Sequence, residues 1–325
     1  MLSKQVCIVG AGYWGKNHIR TFHELGALGG IVESNVKILD SLVQKYPYVK
    51  TYTKLEDALA NNEFKGFTVA TPADTHFKIA KEIIKAQKHV LVEKPFTLTI
   101  DHAEILVKLA DKNSVNLMVG HLLLFHPAII NIKRLIKDKI IGDLQYIYSN
   151  RLNLGQVRTE ENVFWSLAPH DISIFQYFTE SYPKEINAKG SSFLQKGIHD
   201  FALTHLKYPN GVEGHIFVSW LHPFKEHRIV IVGSEAMIYF EDSAKKTPLS
   251  LYSKKFDLAN GIPKKIDGPV KLIEYNQKMP LTEELSYFIN HLNENQPKKS
   301  DGQHALEVTK IMVEASNQLK RNINQ

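Results

Sequence analysis

Along the first 120 residues, short apolar runs alternate with longer amphipathic stretches. "QVCIVG", "GALGGIV", "VKTY", "GFTVAT", "HVLVEK" and "VNLMVG" read as strands. Between them "WGKNHIRTFHEL", "NVKILDSLVQKY", "KLEDALAN", "DTHFKIAKEIIKAQ" and "IDHAEILVKLADKN" carry helical spacing, and Ser34 is expected to cap the second of these helices. Several of the strands are apolar throughout, as strands are when helices cover both faces of a parallel sheet. Strand–helix alternation of this kind predicts an α/β, doubly wound parallel sheet.

The pattern changes after Gly120. "HPAIINIKRLIKDK" reads as one amphipathic helix, and from "GDLQYIYSNRL" onward alternation of period two takes over. "GIHDFALTHLKY", "VEGHIFVSW", "HRIVIVG" and "AMIYFED" predict consecutive strands of a large, mostly antiparallel sheet with one open face. A helix over roughly 167–178 interrupts them, and two helices close the chain. The expected division is an N-terminal domain over 1–122 and a C-terminal α+β domain over 123–325, with the last helices able to pack back on the first domain.

Composition narrows the function classes. The 325 residues suit two domains, and no apolar run is long enough to span a bilayer. The start, "MLSKQVCIVG", enters a strand at once and leaves no room for a signal peptide, and the single cysteine, Cys7, sits inside that strand as a packed thiol. A cytoplasmic protein is expected. The net charge of +6 is spread along the chain with no basic block interleaved with aromatics, which disfavours nucleic acid and suits a phosphorylated small molecule. Fifteen histidines invite a metal reading, but there is no HExxH, and His121/His126 and His222/His227 are five apart, off a shared helical face. No metal is expected, and no GxSxG elbow supports a hydrolase.

The chemistry gathers at the ends of the first strands. Gly10, Gly12 and Gly15 form G-A-G-Y-W-G between a strand and a helix. The first permits a tight turn, the second lets backbone approach a pyrophosphate, and the third packs helix on strand. Tyr13 and Trp14 lie in the same turn. Glu33 ends the second strand, eighteen residues on, where a carboxylate accepts from ribose hydroxyls and repels a 2′-phosphate; NAD is favoured over NADP. The turn "ATPADTH" should line the same cleft through Thr71 and Pro72, with Asp74 or Thr75 capping the next helix. His76 is either a helix-surface histidine or a residue beside the cofactor. "EKP", Glu93 to Pro95, places Lys94 at the nicotinamide end, as a proton carrier or as a donor to a hydroxyl being oxidised.

Taken in order, "VGAGYWGKNHIR", "VATPADTHFKIA", "VLVEKPFTL", "VGHLLLFHPAI", "IGDLQYI" and "SDGQHALEV" resemble the Gfo/Idh/MocA oxidoreductases over almost the whole chain. The resemblance implies a Rossmann domain, a second domain with an open sheet, a homodimer or homotetramer, and hydride exchange with sugars or cyclitols. It also implies that Lys94 is catalytic, with Glu93 beside the cofactor and His121 beside the substrate. Members commonly carry an aspartate four residues before a histidine in "FWSLAPHDISIF"; the histidine matches His170, a second catalytic candidate, while the aspartate position holds Ser166.

"LAPHD" and "SWLHPFKEHRIVIVGSEAMIYFED" are most similar to the branch handling nucleotide-linked sugars, and within it to UDP-N-acetylglucosamine 3-dehydrogenases, which make a 3-keto sugar for an aminotransferase. Arg151, Arg158, Lys225 and Arg228 are the candidates for a nucleotide pyrophosphate. Three alternatives stand beside that reading. They are an NADP-dependent ketoreductase of keto-deoxysugar nucleotides, a free-sugar or inositol dehydrogenase, and a non-catalytic dinucleotide sensor.

Overall fold

The computed structural model describes residues 4–155, 157–244, 249–258, 261–293 and 295–323. The chain divides into two compact units: Met1–Phe125 with Lys278–Thr309, and His126–Gln277 with Lys310–Gln325. The division falls after Phe125, and the segment Lys278–Thr309 belongs with the N-terminal unit.

The first unit runs β1 (Val6–Val9), α1 (Tyr13–Glu24), β2 (Leu28–Val32), α2 (Val36–Lys45), β3 (Lys50–Tyr52), α3 (Leu55–Leu59), β4 (Gly66–Val69), α4 (His76–Lys85), β5 (His89–Val92), α5 (Ile100–Asn113) and β6 (Leu117–Val119). The six strands form one parallel sheet in the order β3-β2-β1-β4-β5-β6. Strand order reverses between β1 and β4, so a ligand crevice opens at the carboxyl ends of those two strands. Strands β1, β2, β4 and β6 are buried along their length, which is why they read as apolar runs, whereas the edge strand β3 is exposed or half-buried throughout. Phe64, Phe67, Val69, Ile83, Val90, Val92 and Leu106 lie in one continuous core. The cap of α2 is Asn35, whose side chain accepts from the backbone N–H groups of Lys37 and Ile38. Ser34 lies one residue too early, and its hydroxyl turns to Glu33 instead.

The second unit contains α6 (Pro127–Lys137), β7 (Leu144–Leu152), α7 (Val163–Thr179), β8 (Glu185–Ser191), β9 (Phe201–Lys207), β10 (Glu213–Ser219), β11 (Glu226–Gly233), β12 (Met237–Glu241), β13 (Leu249–Tyr252), β14 (Lys255–Asp257), β15 (Lys264–Ile266) and β16 (Val270–Leu272). Eight strands make a sheet in the order β16-β13-β12-β11-β7-β10-β9-β8, while β14 and β15 form a separate hairpin. All pairs in the large sheet are antiparallel except β7 with β10. On β7, Ile147, Ser149 and Arg151 are buried, while Tyr146, Tyr148 and Asn150 point the other way and stay half-exposed. Helix α7 packs against β7, β9 and β10 and covers the buried face. It begins earlier than its apolar pattern predicts, because the Asn162 side chain caps it by accepting from the backbone N–H of Trp165.

Two helices close the chain: α8 (Pro280–Asn290), in the first unit, and α9 (Gly302–Ile323), which starts in the first unit and ends in the second. Among the described residues no helix is long and apolar enough to cross a membrane.

Candidate active site

Backbone hydrogen bonds tie each strand's end to its neighbour along the carboxyl edge of the first unit's sheet. Gly10 N–H donates to Val32, Ala70 to Val9, Glu93 to Val69 and Gly120 to Val92. The four turns that carry the sequence motifs are thereby held in one row.

The three glycines have different reasons to be there. Gly10 has φ +95°, and a Cβ on it would come within 2.8 Å of the Ala70 carbonyl oxygen. On Gly15 a Cβ would stand 2.0 Å from the Gly10 carbonyl oxygen, so only hydrogen lets α1 sit this close to β1. Gly12 differs: a Cβ there would meet nothing within 4 Å. Gly12 also precedes α1 as an N-cap with no side-chain bond, and the first turn of that helix holds no acidic residue. The turn therefore leaves open space in front of unsatisfied N–H groups and the positive end of a helix, which fits the pyrophosphate of a dinucleotide. Tyr13, 82% exposed, and Trp14 stand edge-to-face at the same helix start.

Glu33 follows β2 and is tied to this turn. One carboxylate oxygen accepts from Ala11 N–H at 2.8 Å, the other from Asn35 N–H at 2.8 Å. A carboxylate has about four acceptor sites, so the half-buried group keeps capacity for hydroxyl donors while bracing the glycine turn.

After β4, Thr71 and Thr75 hydroxyls meet at 2.7 Å and Thr75 donates to the Pro72 carbonyl. Neither Asp74 nor Thr75 makes a capping bond to α4. His76 is buried, so it is not a helix-surface residue. Its Nδ1 lies 2.9 Å from the Pro95 carbonyl oxygen and its Nε2 2.9 Å from that of Thr71. The ring joins the turn after β4 to the turn that carries Lys94.

Lys94 is half-buried and follows β5, and its peptide bond to Pro95 is cis. Glu93 is buried beneath it: one oxygen pairs with His18 Nε2 at 2.8 Å and the other accepts from the Lys94 backbone N–H at 3.1 Å. A Cβ on Gly120 would lie 3.0–3.2 Å from that carboxylate, so the glycine after β6 makes room for Glu93. His121, fully enclosed, stands edge-to-face with His304 at 5.3 Å. Burial first, then the charges of His304 and Lys94, hold the His121 ring well below the usual histidine range, and burial pushes His304 down to about 4. From α8, Glu284 is fully buried and neither carboxyl oxygen has a hydrogen-bond partner among the described residues. Burial, with a second contribution from the Glu93 charge, pushes this acid well above the usual carboxylate range. His18, Gly120, Glu284 and His304 escaped the sequence reading. The visible signal for His18 was a polar residue three positions after Gly15, on the face of α1 that has to be apolar.

In the second unit, His170 is half-buried on α7 with Ser166 one turn before it on the same side. Asp171 is fully buried and binds the Arg151 guanidinium at 2.6 and 3.2 Å. The third nitrogen of Arg151 lies 3.3 Å from His227 Nδ1. Arg151 is thus committed to an interior ion pair on the face covered by α7. Arg228 pairs in register with Asn150 on the other face and binds Glu226 at 2.8 Å. The sheet separates these two arginines by its own thickness, so they do not converge on one phosphate. Lys225 is exposed in the turn before β11, and Arg158 is exposed and paired with Glu161 at 3.1 Å.

Residues 4–121 match the oxidoreductase family with an NAD-binding Rossmann fold, and residues 129–239 match the GFO/IDH/MocA C-terminal domain. The chain belongs to the Gfo/Idh/MocA oxidoreductase family. A UDP-N-acetylglucosamine 3-dehydrogenase of Acidithiobacillus ferrooxidans is 24% identical over 305 residues, covering 93% of each chain. The solved structure of that organism's GnnA, a UDP-N-acetylglucosamine 3-dehydrogenase, superposes with TM-score 0.86 at 21% identity over 99% of both chains. An inositol 2-dehydrogenase of Corynebacterium glutamicum is 24% identical over 219 residues, 65% of each chain. A levoglucosan dehydrogenase in complex with NADH and levoglucosan gives TM-score 0.82 at 16% identity, over 96% of this chain and 97% of that one. This Gfo/Idh/MocA member is an NAD(P)-dependent oxidoreductase. Gly10, Gly12, Gly15 and Glu33 are the residues that would hold the dinucleotide, which supplies a hydride acceptor or donor.

Proposed function

We propose that the protein oxidises a ring hydroxyl of a nucleotide-linked sugar, C3 of UDP-N-acetylglucosamine, using NAD. The observation that carries this reading is the placement of Lys94. It lies in a turn whose backbone is anchored by the buried Glu93 carboxylate, at the carboxyl edge of a dinucleotide-binding sheet. An amine held there takes or relays the hydroxyl proton as the carbon–hydrogen bond is broken. His170 is the second proton-handling group, with Ser166 one turn earlier at the position where the family resemblance implies an aspartate. His121, enclosed and kept neutral, adds no second positive charge beside Lys94. The relative from Acidithiobacillus ferrooxidans supports the choice of sugar nucleotide, since the similarity runs through both units. Glu33 supports NAD over NADP, because its charge meets a 2′-phosphate unfavourably.

Of the pyrophosphate candidates, Lys225 and Arg158 are exposed and Arg228 is half-buried against Glu226, whereas Arg151 serves the interior. Exposed Leu203, Val270 and Leu272 on the large sheet support assembly into a dimer or tetramer. The keto product would pass to an aminotransferase in the cytoplasm.

The test is turnover of UDP- and dTDP-linked sugars, free sugars and inositol with NAD, in the presence of a 2-oxoglutarate-dependent aminotransferase to draw off ketone. NADH accumulation with UDP-N-acetylglucosamine alone, abolished in Lys94→Ala, is the expected result. Reaction with inositol or free sugars instead would sink the nucleotide-sugar reading.

A further inference from the structure

We propose that His76 is a positioning residue for Lys94: its ring, carrying hydrogen on both nitrogens, clamps the turn after β4 to the turn after β5, and loss of one hydrogen opens one side of the clamp. The inference rests on the assignment of Lys94 as the reacting amine.

The geometry supplies the argument. Both partners of the ring, the carbonyl oxygens of Thr71 and Pro95, can only accept. At 2.9 Å each contact is a full hydrogen bond if the nitrogen carries hydrogen, and two lone pairs in opposition if it does not. A neutral imidazole has a single N–H, so it satisfies one carbonyl and repels the other. The ring is buried, so solvent cannot stand in for the missing hydrogen.

Two effects oppose the doubly protonated ring: burial, which disfavours a charged form, and the start of α4, where His76 is the first residue and the helix end favours negative charge. Against them stand two charge-assisted bonds, each roughly twice as strong as a neutral one, and the lone-pair repulsion a neutral ring meets at its second carbonyl. The surroundings are otherwise sparse in charge. Lys94 lies one residue before Pro95, and Asp74 is exposed in the preceding turn. Of the elements packed on α4, β4 carries no ionisable side chain and the only one on β5, His89, stands at the far end of that strand. From α5, His102 lies flat on Phe77 with ring centroids 3.8 Å apart, which fixes the first turn of α4 and with it the Cα of His76. Among the described residues His76 makes no ion pair.

The clamp has a consequence at the site. Thr71 belongs to the turn that touches Gly10, and Pro95 follows Lys94 directly. A closed clamp fixes the lysine relative to the glycine turn; a half-open one frees the lysine turn or the Thr71 turn.

The experiment uses the full-length protein labelled with 15N-histidine, followed by long-range 1H–15N correlation between pH 5 and 9, with His76→Gln identifying the signal. In parallel, the rate of trace acetylation of the Lys94 amine is followed by peptide mass spectrometry over the same range. The expected result is an imidazolium pattern for His76 at the acid end. A transition to a single tautomer should coincide with an inflection of about threefold in Lys94 labelling that His76→Gln lacks. A neutral tautomer throughout overturns the clamp. An identical inflection in His76→Gln overturns the link to Lys94. If the variant does not fold, nuclear Overhauser contacts from the ring to Pro95 assign the wild-type signal, and the two wild-type curves must still coincide. Neither readout needs a substrate, so failure of the sugar assignment and failure of the clamp are separable.

Discussion

Gly15 lies so close under Gly10 that a single added methyl group would stand 2.0 Å from the Gly10 carbonyl oxygen. Gly12, three residues earlier, has no neighbour for the same methyl. The two glycines therefore separate folding from binding. Gly15→Ala should cost about 1–3 kcal/mol by forcing α1 away from β1, seen as a lower thermal midpoint without any cofactor. Gly12→Ala should leave that midpoint within a degree or two and weaken dinucleotide binding roughly tenfold or more by calorimetry, since the methyl enters the space the pyrophosphate needs. Equal loss of stability in both variants would contradict this division.

Glu33 is expected to set cofactor choice and to brace the turn at once. Glu33→Gln removes the charge and turns an amide donor toward either Ala11 N–H or Asn35 N–H. The preference for NAD over NADP, as a ratio of kcat/KM, should fall by roughly tenfold. A drop in stability of about 1 kcal/mol should accompany it from the mismatched donor. An unchanged cofactor ratio would show that the carboxylate serves the turn alone.

Arg151 and Asp171 form a buried pair, and buried pairs are far costlier to halve than to replace. Asp171→Asn or Arg151→Met alone should destabilise the protein by about 3–5 kcal/mol, while the double replacement Arg151→Met with Asp171→Leu should recover a large part. A double-mutant cycle by denaturant unfolding measures this. Additive losses would mean that the two side chains do not act as a pair.

Burial perturbs two acid–base groups of the first unit in opposite senses, which gives stability a slope at each end of the pH scale. Glu284 keeps its proton in the fold and releases it when unfolded, so its contribution is complete below the ordinary carboxylate range and is lost as pH rises above it. The thermal midpoint of Glu284→Gln should gain on wild type as pH rises above the ordinary carboxylate range. His304 stays neutral in the fold down to about pH 4, so its contribution is complete above about 6.5 and is lost as pH falls from there. His304→Gln should flatten the acid limb between 6.5 and 4. A constant gap between Glu284→Gln and wild type would mean that Glu284 is not held as a neutral acid.

What was legible in the chain follows from which constraints are local. The parallel sheet announced itself because strands buried on both faces are apolar throughout, and the glycine turn because φ and close packing admit no side chain at Gly10 and Gly15. The mixed sheet was legible as alternation, but alternation says nothing about which strands meet, so the parallel pairing of β7 with β10 was hidden. The residues behind Lys94 were hidden for a related reason. His18, Glu284 and His304 come from α1, α8 and α9, and only the fold brings them toward one turn. Arg151 looked like a free cation because its partner, Asp171, is twenty residues away in the chain and meets it only in the fold.

The first unit is also discontinuous along the chain, with His126–Gln277 intervening before Lys278–Thr309. Those late residues finish the sheet: Val119 N–H donates to Ser300, Met118 bridges to Asp301, and Leu292 and Phe288 close over Gly66. On the ribosome, β6 is therefore made long before the segment that covers its outer side. At about 5–20 residues per second the interval is roughly nine to thirty-six seconds. For that time the nascent chain presents an open parallel edge, the kind of surface that recruits strands from other chains. Translation speed through the second unit thus sets how long the dinucleotide-binding half waits for its last hydrogen bonds.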